Sequence, residues 1–385
     1  MARAKSLQLS GLVGLLNSLC PPGLAEDWDN VGLQLGDPTA EITRVLVCLD
    51  AEELAISEAE RLGAQAVISH HPLLHRPLKR LTPGDETGRV IFRAIRNEIA
   101  ILSAHTNLDR VADGLNDWLA QRIGLIEFKP LEAPQAGNCY KLVVFVPQGH
   151  ELEVLDAIFA AGGGQVGAYD RCSFRSVGTG SFRGNETTSP FIGQPGASEE
   201  TQELRLETIV PGDLLQKVVA RMIKAHPYEE VAYDLIPLAN RRSDVGLGRI
   251  GRLEQPLSLQ DFAEQVRQQL QVPALRMVGE PQRQISKVAV CGGSGASLIG
   301  DALRQGADCL VTGDVKYHDA QRARSEGLAL IDAGHFATEH LMVTELSARL
   351  QKAADARQLP VEFIEMTAEQ DPFTTVCFSH KPSQK

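Results

Sequence analysis

Two stretches of the chain alternate unbroken apolar runs with segments of helical spacing. In the first, Arg44-Val-Leu-Val-Cys-Leu-Asp50 is apolar throughout its interior and closes on a carboxylate. Residues 52–62 carry Leu54, Ile56, Ala59 and Leu62 at helical intervals, and Gly63 ends the pattern. Ala66-Val-Ile-Ser-His70 is the next apolar run, after which residues 90–95 predict a helix and 99–103 a further strand. In the second stretch, Lys287-Val-Ala-Val-Cys291 leads through Gly292-Gly-Ser-Gly295 into a helical segment ending near Arg304. Cys309-Leu-Val-Thr312 precedes a predicted helix over 317–326, and Leu328-Ala-Leu-Ile331 leads into a long helix toward Lys352. Strands over 361–365 and 375–378 finish the pattern. Unbroken apolar strands separated by helices imply parallel β-α-β units covered on both faces.

The stretch between them carries an internal repeat. Val146-Pro147 is followed 22 residues later by Tyr169-Asp170, and Val210-Pro211 is followed at the same interval by Tyr233-Asp234. At the offset of 64, Val154, Leu155, Ile158 and Phe159 align with Val218, Val219, Met222 and Ile223. Two tandem copies of strand, turn, amphipathic helix and strand are the pattern of a ferredoxin-like split β-α-β domain. Residues 183–202, rich in Gly, Ser, Thr, Pro and Glu, read as a mobile hairpin loop. The expected architecture is α/β: a discontinuous, three-layer core domain with a parallel-type sheet over 1–135 and 241–385. A ferredoxin-like α+β domain is inserted over 136–240.

The 385 residues, 43% hydrophobic and 23% charged, suit a globular protein of two or three domains. Set against 49 acidic residues, 38 basic ones leave a net charge of −11, which excludes a chain that holds nucleic acid by bulk positive charge. No apolar run approaches the ~18–20 residues of a membrane span, and no secretory signal is expected. The seven cysteines (20, 48, 139, 172, 291, 309 and 377) form no CxxC pair, and several lie in strand-like runs. They are expected to be free, buried thiols in a cytoplasmic protein.

In open parallel sheets ligands bind beyond the carboxyl ends of the strands. His70 and His71 follow one apolar run, His105, Asn107 and Asp109 the next, Asp314, Lys316 and His318 a third, and Asp332, His335 and Glu339 a fourth. Five of the ten histidines therefore fall just after strands. His335 and Glu339, spaced i, i+4, share one face of a helix, and a glutamate can bridge two cations where a neutral imidazole binds one. The set His70, His71, Asp109, His335 and Glu339 offers three imidazoles and two carboxylates. That mixture suits Zn, Mn, Fe or Ni and is too nitrogen-rich for Ca or Mg alone. Two further segments stay open at this level. Gly292-Gly-Ser-Gly295 lacks the third glycine of a dinucleotide fingerprint, so it is either a tight turn or an anion cradle. Trp28-Asp29-Asn30 is either a structural loop or a pocket wall.

Six segments carry a resemblance to a known family. They are Trp28-Asp-Asn-Val-Gly-Leu-Gln-Leu-Gly36, Ser69-His-His-Pro72, Ala104-His-Thr-Asn-Leu-Asp109, Gly246-Leu-Gly-Arg249, Thr312-Gly-Asp-Val-Lys316 and Gly334-His-Phe-Ala-Thr-Glu339. In this order they resemble the motifs of the NGG1-interacting-factor-three-like family, also called GTP cyclohydrolase I type II homologues. The insert, with His226-Pro-Tyr-Glu-Glu230, is similar to the CutA-like module of longer bacterial members. The resemblance implies two divalent ions per subunit, zinc first among the candidates. His70 and Asp109 would bind one, His71 and His335 the other, with Glu339 shared. It also implies a homohexamer.

Paired cations hold a hydroxide and polarise the group it attacks, so hydrolysis is the expected reaction class. The family label points to ring-opening of GTP with release of formate. His105 and His318 are candidates for proton transfer or for orienting the ligands. Two other readings stand beside this one: a di-metal phosphoesterase, and a non-catalytic metal-binding regulatory protein. Lys316, Arg249 and Arg110 would receive an anionic nucleotide. Neither a membrane nor a nucleic acid is expected as a partner.

Overall fold

The computed structural model describes residues 7–132, 139–240 and 242–376. The chain divides into two compact units, residues 1–133 with 243–385, and residues 134–242.

The first unit contains two mixed sheets where a single parallel-type sheet was expected. One has five strands in the order Glu362–Glu365, Arg44–Asp50, Ala66–His71, Ala100–Ser103 and Gly32–Leu35. The first four run parallel, and Gly32–Leu35 pairs antiparallel at the edge. Successive side chains of a strand face opposite ways. Val45 through Cys48 are all fully buried, so apolar layers cover both faces. Helices Leu9–Leu19, Glu53–Leu62, Glu86–Arg96 and Leu341–Ala356 supply them. Gly63, at φ 65°, ends the second of these in the left-handed conformation that glycine adopts without steric cost. The Asp85 carboxylate caps the third by accepting from the Gly88 amide.

The other sheet has six strands in the order Arg276–Val278, Ala329–Asp332, Cys309–Thr312, Gln284–Val290, Leu247–Ser258 and Leu125–Glu132. Its three middle strands are parallel, and the flanking ones antiparallel. The period of two shows directly. Val288, Val290 and Val311 enter one core with Phe262, whereas Ala289, Leu310 and Leu330 enter another with Ile299 and Ala302. Leu125–Glu132 and Leu247–Ser258 escaped the sequence pattern because they mix polar and apolar positions, as half-buried antiparallel strands do. Pro130 sits on the edge strand, where its missing N–H costs no ladder bond. The long helix expected from His335 onward is two: His335–Glu339, then Leu341–Ala356. Of the strand expected at 375–378, Thr375 and Val376 have no regular structure, and Cys377 and Phe378 lie outside the described residues.

The second unit runs strand, helix, strand, strand, helix, strand. Its antiparallel sheet is ordered Tyr233–Leu238, Cys139–Pro147, Ser198–Pro211, Phe174–Arg183, the arrangement of a split β-α-β unit. Its core is packed by helices Glu151–Ala160 and Leu215–Ala225. The two repeats diverge at their ends. Tyr233 opens a strand, whereas Tyr169 only bridges Val166, and its strand begins at Phe174. The loop expected over 183–202 gives its first residue and its last five to strands, and Ser189 is anchored by its amide to the Glu229 carboxylate. Among the described cysteines, Cys20, Cys48, Cys172, Cys291 and Cys309 are free thiols, and all six described cysteines but Cys172 are buried.

Candidate metal centre

The strand Ala66–His71 ends on two adjacent histidines whose rings meet the same carboxylate from different sides. His70 is fully buried and donates Nδ1–H to the Ala104 carbonyl at 2.8 Å. Its Nε2 is thereby turned to Glu339 Oε1, 3.7 Å away, and to Asp109 Oδ1, 3.6 Å away. Parallel register places Asp50 beside His71, whose Nδ1 donates to Asp50 Oδ1 at 2.8 Å. His71 Nε2 lies 3.0 Å from Glu339 Oε2. From the second sheet, Ala329–Asp332 leads into the short helix carrying His335 and Glu339. His335 Nδ1 meets Asp314 Oδ2 at 2.7 Å, and its Nε2 stands 2.9 Å from Glu339 Oε2 and 3.3 Å from His71 Nε2. Glu339 thus turns Oε1 to His70 and Oε2 to His71 and His335.

The glycine turn has a structural role. Gly292, Gly293 and Gly295 donate their amides to Asn116 Oδ1, Thr338 Oγ1 and Thr312 Oγ1 at 2.8–3.0 Å. Those three N–H groups are spent, which removes the anion cradle they would have formed. What the turn provides is close approach: a Cβ on Gly293, at φ +57°, would stand 2.1 Å from Glu339 Oε1. Glycine there leaves room for the shared carboxylate.

The donor set fits divalent cations on observations independent of any family. His70 Nε2 and Asp109 Oδ1 are buried and have no hydrogen-bond partner. At 3.6 Å they are too far apart to bond each other. Leaving such atoms unpaired costs about 1–3 kcal/mol apiece, so native proteins seldom do it without a reason. Two ligand bonds of about 2.1 Å at the tetrahedral angle place donors about 3.4 Å apart. The separations of 3.6 and 3.7 Å around His70, and of 2.9, 3.0 and 3.3 Å around His71 and His335, bracket that span. Behind each ring stands a fixed acceptor, Ala104 O, Asp50 or Asp314, as metal-binding imidazoles require.

Electrostatics agree. Burial pushes the His71 imidazole down, yet its hydrogen bonds to Asp50 and Glu339 outweigh that and carry it up to about 10. Hydrogen bonding to Glu339, opposed by burial and reinforced by Asp314, lifts His335 to about 9. Burial pushes Glu339 upward, but the nearby His70 charge and hydrogen bonds from His71 and His335 hold it well below the ordinary range. A carboxylate ionised in the interior calls for positive charge around it. Protons supply that charge in the metal-free site, and cations can take their place.

The remaining residues named from sequence separate clearly. His105 is brought in: its ring centroid lies 5.2 Å from His70 and 5.6 Å from His71, and its Nδ1 donates to Asp29 Oδ1 at 2.9 Å. A nitrogen of His105 also lies within 4.8 Å of donor atoms of both, making a second candidate ligand group. Burial raises Asp29, but hydrogen bonds from His105 and Thr106 bring it down to about 2. Trp28 is exposed, its ring edge-on to His75 and His105, which favours the pocket-wall reading of that loop. His318 is not brought in. It is exposed on helix Tyr317–Glu326, with Nδ1 3.3 Å from Gln321 Oε1. Arg249 cannot receive a substrate, because it is buried, paired with Asp117, and bonded to the Gly246, Gly248 and Val111 carbonyls. Arg110 faces Glu26 and Glu132, and Lys316 is exposed at the head of its helix.

Sequence reasoning missed Asp50 and Asp314 as the acceptors behind His71 and His335. Asp50 left a signal, closing the apolar run beside the one that ends on His71. Asp314 also follows a strand, but its φ of 54° and its aim at His335 become visible only in the fold.

Imidazoles and carboxylates from the carboxyl ends of two mixed sheets, meeting on one glutamate, define an α/β protein with a candidate metal centre. The chain belongs to the DUF34/NIF3 family (NGG1p interacting factor 3), whose profile matches residues 7–372. A protein of Halalkalibacterium halodurans named GTP cyclohydrolase 1 type 2 homolog is 43% identical to it over 365 residues, covering 95% of this chain and 98% of that one. A Bacillus subtilis protein of the same name is 38% identical over 371 residues, covering 96% and 99%. Among solved structures, a Bacillus cereus protein related to NIF3 matches with a TM-score of 0.85 at 40% identity, covering 97% of this chain and 100% of that one. Reduced HcgD from Methanocaldococcus jannaschii shares the fold, with a TM-score of 0.56 at 22% identity over 94% of this chain and 98% of its own.

Proposed function

We propose that this chain is a metal-dependent hydrolase acting on a nucleotide, with two divalent ions, zinc first among the candidates, held at Glu339. His70 and Asp109 would hold one ion and His71 and His335 the other. The observation that carries the reading is the division of Glu339. Each of its oxygens faces a separate group of donors, and one group contains two buried atoms with no hydrogen-bond partner. When bound, paired divalent cations supply a hydroxide at neutral pH and polarise the group it attacks.

The chain's own residues do the rest. Ala104, Asp50 and Asp314 fix the three rings so that each presents Nε2 inward. Asp29, ionised at neutral pH, holds His105 Nδ1–H and leaves the opposite nitrogen to move a proton beside His70 and His71. The exposed Trp28 ring gives a planar base a surface to lie against. The names of the relatives favour GTP, opened at its five-membered ring with release of formate. On the same resemblance we propose a homohexamer and a CutA-like character for the second unit.

The test is metal analysis of the purified protein, paired with a panel of nucleotides and phosphoesters read for formate and for phosphate. Metal near two per chain with formate from GTP supports the proposal. Phosphate in place of formate makes the protein a phosphoesterase, and no turnover with full metal content makes it a binding protein.

A further inference from the structure

We propose that the second unit carries its own ligand site, a pocket for a small organic cation with an aromatic body. The cavity, of about 280 Å³, lies between the Phe174–Arg183 and Ser198–Pro211 hairpin, the segment that joins its strands, and the turn at 226–232. Three aromatic rings border it. The Phe182 and Phe191 centroids each lie 6.3 Å from that of Tyr228, and His150 braces Phe191 from outside at 5.2 Å. The size falls near the lower end of the ~300–1,000 Å³ usual for small-molecule sites.

Charge selects the class of ligand. Glu203 is nine-tenths buried in the sheet, and its Oε1 accepts from the Tyr228 hydroxyl at 2.9 Å. Burial, reinforced by Glu203, pushes the Tyr228 phenol up, which keeps it a donor. Across the sheet, Gly180 leaves the room the carboxylate fills: a Cβ there would stand 2.2 Å from Glu203 Oε2. Glu229 and Glu230 also border the cavity, against a single guanidinium, Arg183, whose Nε donates to the Gly196 carbonyl at 2.9 Å. Three carboxylates against one cation leave the pocket at about −2. A buried acid costs free energy unless positive charge or donors meet it, and tyrosine and phenylalanine rings attract cations at their faces. An ammonium group beside Glu203, with an apolar ring between the aromatic side chains, answers both features. The site is pre-formed in part, because the Ser189 amide donates to Glu229 at 3.0 Å and ties the joining segment to the turn.

Isothermal titration of the full-length, metal-loaded protein with tryptamine tests this, using tryptophol and indole-3-propionate as neutral and anionic partners of the same ring. Tryptamine is expected to bind at least tenfold more tightly than tryptophol, with no binding of indole-3-propionate. Glu203→Gln should remove that preference. Phe191→Ala, at an exposed loop position that does not threaten folding, should weaken tryptamine several-fold. Equal binding of the three probes, no binding of any, or tryptamine binding that neither substitution changes would overturn the proposal.

Discussion

The two sides of Glu339 are built differently. On the Oε1 side His70 is wholly buried, its Nδ1 is held by a neutral backbone carbonyl, and two donor atoms lie unpaired. On the Oε2 side His71 and His335 are 26% and 36% exposed, and each is backed by a carboxylate, Asp50 or Asp314. The dry side can release a cation only by exposing two unsatisfied polar atoms to an interior that offers them nothing. The wet side has an alternative, since protons on His71 and His335 also offset the Glu339 charge. On the proposed reading, Glu339 would join a pocket suited to retention and one suited to exchange.

Breaking the bridge removes the comparison altogether. Glu339→Ala should take metal content from two ions per chain to near zero, with turnover lost alongside, as measured by elemental analysis and formate release. The next largest effects should fall on one side each. His70→Ala or Asp109→Asn, and separately His335→Ala, should each leave about one ion per chain, and spectroscopy of the cobalt-substituted proteins should show two different remaining environments.

Acidity sharpens the contrast. Without metal, His71 and His335 keep their protons up to about 10 and about 9. Metal must displace those protons at neutral pH, so affinity on the wet side rises with pH and falls on acidification. Each displaced proton is worth about tenfold per pH unit, so from pH 8 to pH 6 the affinity should drop by about a hundredfold for one proton and about ten-thousandfold for two. The same raised values mean that these imidazoles stabilise the metal-free fold fully below their unfolded value of about 6.5. That contribution is lost as the pH passes through 9 and 10, so the gap in melting temperature between loaded and metal-free protein should widen from pH 6 to pH 9. Asp314→Asn keeps both ligand groups and alters only the acceptor behind His335. It should weaken the wet-side ion by about 10- to 100-fold with stoichiometry intact at saturating metal. His318→Ala, at an exposed position bonded to Gln321, should change neither metal content nor turnover.

The legibility of the site followed its chemistry. His70, His71, Asp109, His335 and Glu339 could be singled out because each stands just past an apolar run, and strand ends are where such folds expose side chains. The short parallel strands read directly for the same reason, being apolar on both faces. Leu125–Glu132 and Leu247–Ser258 did not, because they mix polar with apolar positions and look like loop. The orienting carboxylates were harder still. Nothing local distinguishes Asp314 from any loop aspartate, and its role exists only once His335 has been folded back against it. His318 misled for the converse reason, since a histidine following a strand looks the same whether the next helix turns it inward or out. Arg249, which looked like an anion receptor, is consumed in holding the chain at Asp117 and three carbonyls.

Anomalous diffraction from crystals grown with zinc, with data on both sides of the metal edge, tests the central claim most directly. The account predicts two peaks that share Glu339, one bounded by His70 and Asp109 and the other by His71 and His335. A single peak away from Glu339, or none with the five side chains unmoved, would contradict it.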